Sequence, residues 1–345
     1  MREAATKAIA EYGVGAGASR LISGTQSPHV RLETALAKWK ETEAALCFSS
    51  GYAAALGTIP ALVDKNDVII LDKLCHASLI DGAKLSGAIL RVFPHNHLDK
   101  LKGHLEWARQ KNSAARIVII TESVFSMDGD RAPLPEIVKL KIDFGAQLFL
   151  DEAHAVGVIG RNGRGLAFEE NLSQEVDVQM GTLSKALAVS GGYICGSRNM
   201  TEWLINRARS FIFSTAPPPA LAAAARAAVD FLSSIEGEKR RQRLWRNIDI
   251  LAEVLSIQPA SAIVPWIIGD EKETLAAAQN LQENGFLVPA IRYPTVGKGT
   301  ARLRITLSAA HEATQLRSLA GAIKRLPKET ERNRFGDYGV REDAQ

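Results

Sequence analysis

Between residues 44 and 196, short apolar runs recur between stretches of helical periodicity, and this alternation limits the chain more than any other feature. The runs are Ala44–Phe48, Val68–Leu71, Ile89–Phe93, Ile117–Thr121, Leu148–Asp151, Val178–Thr182 and Tyr193–Gly196. Each is too short for a helix, and none alternates strictly between apolar and polar. That is the pattern of strands covered on both faces. The flanking segments have helical spacing, as in His29–Thr42, where Leu32, Leu36 and Trp39 share one face. Strands separated by helices predict an α/β domain with a mostly parallel sheet of seven strands.

The texture changes after Pro219. Ala220–Ser233 reads as an Ala-rich helix, and Glu236–Ile248 as a strongly charged one. Ile263–Ile268, Leu287–Ile291 and Leu303–Leu307 read as strands around a helix at Thr274–Asn284. This predicts a large domain over 1–231, a smaller C-terminal α+β domain over 232–326 and a polar tail over 327–345. Met1–Tyr12 reads as the end of a helix, and Gly13–Gly17 as a glycine-rich connection without the Gly-x-Gly-x-x-Gly spacing of a dinucleotide site.

Several classes of function drop out. The net formal charge of +4 over 345 residues is too dilute for a dedicated nucleic-acid binder. The charge-free stretches 210–225 and 254–269 carry Pro217, Pro218, Pro219 and Pro259, Pro265, and neither reads as a membrane span. The N-terminus lacks the apolar core of a signal peptide. Cys47, Cys75 and Cys195 are too scattered for a disulfide framework or a metal site, so no metal and a reducing, cytoplasmic compartment are expected.

In parallel sheets, ligands gather at the C-terminal ends of strands. The predicted exits carry Ser49-Ser50-Gly51, Asp72 to His76, Glu122 to Ser126, Asp151-Glu152-Ala153-His154 and Thr182-Leu183-Ser184-Lys185. A lysine at a buried exit loses solvation and becomes an uncharged amine able to condense with an aldehyde. The plain alternative for Lys185 is a surface residue opening a helix; the hydroxyls of Thr182 and Ser184, suited to a phosphate, weigh against it. Asp151 can pair with a protonated pyridine nitrogen, or cap a helix, or bind Mg²⁺ as Asp-Glu-Ala-His does in helicases. The helicase reading needs an upstream phosphate loop, and the chain has none. His76 and His154 can stack on a ring or bond a phenolic oxygen, and Gly51 at a helix start offers bare amides to a phosphate. The basic run Lys239, Arg240, Arg241, Arg243, Arg246 reads as a solvated helix face, with docking of an acidic carrier protein as a second reading.

These motifs resemble the α-oxoamine synthases, PLP-dependent transferases of fold type I. The likeness runs from Met1 to about Leu326 and includes Phe48-Ser49-Ser50-Gly51-Tyr52, Ser126-Met127-Asp128-Gly129-Asp130, Asp151-Glu152-Ala153-His154, Gly181-Thr182-Leu183-Ser184-Lys185 and Ala301-Arg302-Leu303-Arg304. Val288-Pro289-Ala290-Ile291-Arg292-Tyr293-Pro294-Thr295-Val296 is similar to the biotin-synthesis branch. Members usually carry a preceding segment with Asn-Tyr-Leu-Gly-Leu, and Met1 falls just after it.

The resemblance implies pyridoxal 5'-phosphate (PLP) as cofactor and a role for each matching position. Lys185 would hold the cofactor as a Schiff base and act as acid and base. Asp151 would pair with the ring nitrogen, and His76 would stack on the ring. Ser126 and His154 would bond the phenolic oxygen, while Gly51, Tyr52 and Thr182 would hold the phosphate. Ser214 or Thr215 would reach the phosphate of the neighbouring subunit in a homodimer with shared sites. Arg304, rather than Arg302 on the same strand, would bind the amino-acid carboxylate, and Thr295 would line the acyl pocket.

The implied reaction is a decarboxylative condensation of L-alanine with pimeloyl-CoA or a pimeloyl-carrier protein. Glycine with acetyl-CoA is the alternative inside the family, and serine palmitoyltransferase chemistry a more distant one. A catalytically silent dimerisation partner is the alternative outside it.

Overall fold

The computed structural model of the chain describes residues 1–326; the polar tail expected over 327–345 lies outside the described residues. All seven predicted runs form strands: β1 (Ala44–Phe48), β2 (Val68–Asp72), β3 (Ile89–Phe93), β4 (Ile117–Glu122), β5 (Gln147–Asp151), β6 (Val178–Thr182) and β7 (Gly192–Gly196). They make one sheet in the order β1-β7-β6-β5-β4-β2-β3. The pairs β2–β3, β2–β4, β4–β5 and β5–β6 are parallel, whereas β7 is antiparallel to both β1 and β6. The exception has a local cause. Only residues 183–191 link β6 to β7, too few for the crossover that a parallel return requires.

β2, β4, β6 and β7 are buried along their whole length, which explains runs without alternation. Period two still sorts the side chains between two cores. Leu46, Phe48, Ile69, Leu71, Ile120 and Ile194 pack in one, with residues of the helices Gly51–Leu62 and Ala77–Ser86. Cys47, Tyr193 and Cys195 pack in the other, with Leu32, Leu36 and Trp39 of the helix Ser27–Lys40 and Ala225 and Val229 of the helix Pro219–Leu232. Each buried Leu or Phe contributes about 1.5–3 kcal/mol relative to exposure. The charge-free run 44–63 is divided between β1 and the helix Gly51–Leu62, turned at Ser49-Ser50. Among the described residues no helix is long and apolar enough to cross a membrane.

The chain divides into two compact units, 1–126 with 130–241, and 127–129 with residues from 242 onward. The division lies past the expected boundary at 232. It falls inside the helix Ile235–Leu255, whose first turns pack on the preceding helix. Gly237 lies so close to that backbone that a Cβ there would stand 2.2 Å from the Phe231 carbonyl oxygen. Arg241 is buried, pairs with Glu238 and donates to the Leu232 carbonyl at 3.4 Å. The basic run is therefore not uniformly solvated: Lys239, Arg240 and Arg246 are exposed, and Arg241 is not.

The second unit holds an antiparallel sheet in the order β8-β10-β9: β8 (Ile263–Gly269), β9 (Ala290–Ile291) and β10 (Ala301–Thr306). The helices Glu271–Glu283 and Ala313–Lys324 accompany it. The strand expected over Leu287–Ile291 shrinks to two residues, because Pro289 has no N–H for the ladder and Leu287 faces solvent. Residues 127–129 belong here through Arg302, which pairs with Asp128 at 2.6 Å, and Ser261, which donates to the Gly129 carbonyl at 2.8 Å. Gly129 has φ +68°, and a Cβ there would stand 2.1 Å from the Ile263 carbonyl oxygen.

Candidate active site

The parallel ladders bring the C-terminal ends of β2, β4, β5 and β6 to one edge of the sheet. At the β6 exit, Thr182 is a turn-former. Its hydroxyl accepts the Ser184 N–H at 3.1 Å, bonds the Ser184 hydroxyl at 2.7 Å and donates to the Gly191 carbonyl at 3.1 Å. This turn presents Lys185, whose Nζ lies 2.9 Å from His154 Nε2. Lys185 is exposed, so the expectation that it would be stripped of solvent is corrected. The residue stands three positions beyond the strand, clear of the buried ladder. Gly157, at φ +78°, backs the turn; a Cβ there would come within 2.3 Å of Ala186 Cβ.

The β5 exit places Asp151, buried, with its Oδ1 accepting the Ala153 N–H at 2.8 Å. Burial raises its proton affinity; the charge of Lys185, the Ala153 amide and His76 oppose, and Glu152 adds to the rise. Asp151 therefore lies in the field of both Lys185 and His76. Glu152 pairs with Lys40 and accepts the Ala167 N–H at 3.0 Å. This ion pair was not legible in sequence, since its members are 112 positions apart. It anchors the start of the loop that carries His154.

His76 is exposed and caps the helix Ala77–Ser86, its Nδ1 accepting the Ser78 N–H at 3.2 Å and bonding the Ser78 hydroxyl at 2.8 Å. Its backbone N–H donates to Glu122 at the end of β4. Ser126 sits on a hairpin closed by Phe125 N–H to the Asp130 carbonyl at 3.1 Å and Ala132 N–H to the Ser123 carbonyl at 3.2 Å. His95 clamps that hairpin, bonding Asp72 at 3.1 Å and Asp130 at 2.8 Å and meeting Phe125 edge-on. Burial alone would lower the His95 pKa, but the bonds to Asp130 and Asp72 prevail and raise it to about 10. The sequence alone assigns no role to Glu122 or His95. Only the strand order reveals their partners.

Gly51 and Tyr52 open the helix that follows β1, where first-turn amides lack intrahelical acceptors. A Cβ on Gly51 would lie 3.7 Å from the Thr182 hydroxyl, so the amides and that hydroxyl are neighbours. The Tyr52 hydroxyl bonds Asp81, which leaves the Tyr52 amide as its contribution to an anion. Thr215 is exposed and bridges Ser19 in an antiparallel pair.

The remaining expected residues belong to the second unit. Arg304, on β10, is half-buried, bonds the Thr306 hydroxyl at 2.8 Å, and has its pKa lowered by burial. Arg302 is engaged by Asp128 and by the carbonyls of Met127 and Thr300. Thr295 is exposed, its N–H bonded to the Arg292 carbonyl at 3.0 Å.

The first unit thus gathers an amine, a buried carboxyl, two imidazoles and a helix N-terminus beside a hydroxyl. This donor set fits PLP: an amine for its aldehyde, a carboxylate for its ring nitrogen, and amides with a hydroxyl for its phosphate. Fold and site define a PLP-dependent transferase of fold type I. The chain matches the aminotransferase class I and II family over residues 1–323 and belongs to that family. It is 47% identical over 335 residues to the 8-amino-7-oxononanoate synthase of Geobacter sulfurreducens, covering 95% of this chain and 85% of that protein. It overlays a serine palmitoyltransferase from S. paucimobilis with bound PLP and myriocin at TM-score 0.89 and 31% identity, covering 94% and 82% of the two chains. It overlays the 8-amino-7-oxononanoate synthase of Francisella tularensis at TM-score 0.79 and 29% identity, covering 94% and 92%.

Proposed function

We propose that the chain is an acyltransferase of biotin biosynthesis. It condenses L-alanine with pimeloyl-CoA or a pimeloyl-carrier protein to give 8-amino-7-oxononanoate, CO₂ and the free thiol. The observation that carries this reading is Lys185 Nζ at 2.9 Å from His154, with both beside the exit that bears buried Asp151, in a chain 47% identical to such a synthase. When bound, PLP supplies an electron sink for the pair left on the amino acid's α-carbon. Lys185 would be the amine that holds the cofactor, and as a free amine it would take the α-proton and return a proton to the product. Asp151 would pair with the ring nitrogen, His76 would lie against the ring, and Ser126 and His154 would bond the phenolic oxygen. The Gly51 and Tyr52 amides and Thr182 bind the phosphate. The resemblance assigns the amino-acid carboxylate to Arg304 and the acyl pocket to Thr295.

The active form in this proposal is a homodimer, with Thr215 reaching the phosphate bound by its neighbour. The exposed apolar residues Val14, Ile22 and Phe213, near the Ser19–Thr215 bridge, support that reading. The three buried thiols support a reducing, cytoplasmic location. A silent partner would have no need for the Lys185–His154 contact. Serine palmitoyltransferase is the second reading, since its structures overlay well; its 31% identity is well below the 47% of the pimeloyl-branch relative.

The test is mass spectrometry of products after incubation with PLP, L-alanine and pimeloyl-CoA. 8-Amino-7-oxononanoate is expected from the native chain and none from Lys185→Ala. Turnover only with glycine and acetyl-CoA, or with serine and palmitoyl-CoA, would overturn the assignment.

A further inference from the structure

Three buried carboxyls stand at the exits of three adjacent strands: Asp72 on β2, Glu122 on β4 and Asp151 on β5. Their surroundings differ. Asp72 is satisfied by His95 at 3.1 Å and by the amides of Leu74 and Asn96, both at 2.8 Å. Asp151 has the Ala153 amide and the fields of Lys185 and His76. Glu122 accepts the backbone N–H of His76 and forms no ion pair among the described residues. Glu122 and Asp151 are also register partners in the β4–β5 ladder, so their side chains leave the sheet on the same face. Two anions buried that close cannot both persist, and one proton must settle on the pair.

We infer that Glu122 is a neutral carboxylic acid at rest that holds His76 in place through its backbone amide, leaving Asp151 as the one anion of the pair. Glu122 is then a positioning residue, and the inference rests on the assignment of His76 and Asp151 to the cofactor made above. The groups that face it agree. Burial favours the protonated form of Glu122, Asp151 from β5 and Asp72 from β2 add to this, and the His76 amide and Lys185 oppose. Asp151 is pushed the same way by burial and Glu152, but Lys185, the Ala153 amide and His76 all favour its anion. The proton settles on the partner with less cationic company.

Two measurements on the full chain decide this. Difference infrared spectroscopy of cofactor-free protein, wild type against Glu122→Gln, reads the carboxylic-acid C=O stretch at neutral pH. The expected result is a band present in wild type and lost in the variant. No such difference overturns the inference.

The second measurement titrates the visible absorption of added PLP against pH and PLP concentration. Glu122→Gln is neutral and keeps an acceptor for the His76 amide, so the pH midpoint and the affinity should match wild type. Glu122→Ala should weaken affinity about tenfold, the loss expected when a buried amide is left without its acceptor. A midpoint moved by about one pH unit in Glu122→Gln would mean that an anion had been removed, and would also overturn the inference. A failed infrared arm with 8-amino-7-oxononanoate still formed sinks only this inference. An infrared band as expected without that product sinks only the proposed function.

Discussion

Lys40→Met isolates the buried ion pair behind the site. Lys40 and Glu152 have side chains 2% and 0% exposed, so solvent screening does not weaken their pairing. Methionine keeps the length of the stem and removes the charge. Glu152 would then retain the Ala167 amide and lose its counter-ion. Breaking one side of a buried pair costs about 3–5 kcal/mol. For a unit of this size each kcal/mol shifts Tm by about 2–4 °C, which gives a fall of roughly 6–20 °C. Thermal unfolding followed by circular dichroism reads this directly. The double variant Lys40→Met with Glu152→Gln leaves no buried charge and should recover much of the loss, with a coupling of about 2 kcal/mol or more. Because this pair anchors the loop bearing His154, PLP affinity in Lys40→Met should drop at temperatures where the fold is intact. A Tm change under about 3 °C, or a double variant as unstable as the summed singles, would refute the reasoning.

Gly157→Ala puts a side chain at positive φ against Ala186, costing about 1–2 kcal/mol in backbone strain and displacing the Lys185 turn; product formation should fall far more than the unfolding midpoint does. His95 carries a folded pKa of about 10, above its ordinary 6.5. Its ion pairs therefore contribute fully below 6.5, and the contribution is lost as pH rises through about 10. Denaturant midpoints across that window should decline in wild type and flatten in His95→Gln. Arg304→Ala should raise the KM for the amino acid about ten- to a hundredfold, the value of a charge-assisted hydrogen bond, with little change in Tm. Arg302→Ala should instead lower stability by about 3 kcal/mol by leaving Asp128 without its buried partner, seen as a shifted melting curve.

Much of this molecule was legible along the chain. Short apolar runs without alternation suit strands covered on both faces, as β2, β4, β6 and β7 are, and the order of polar residues at the strand ends announced the edge where Lys185, Asp151 and His154 stand. The same reading expected Lys185 to be desolvated and Arg241 to be solvated. The structure reverses both, because burial depends on what packs across a residue. The anchors behind the site were not legible for a related reason. Lys40 meets Glu152, His95 meets Asp130, and Glu122 stands beside Asp151 only once the strands take the order β1-β7-β6-β5-β4-β2-β3. Local pattern determines which segments are strands and which groups stand at their ends. Strand order is chosen by long-range packing, and it decides which of those groups face one another and hence which carry charge.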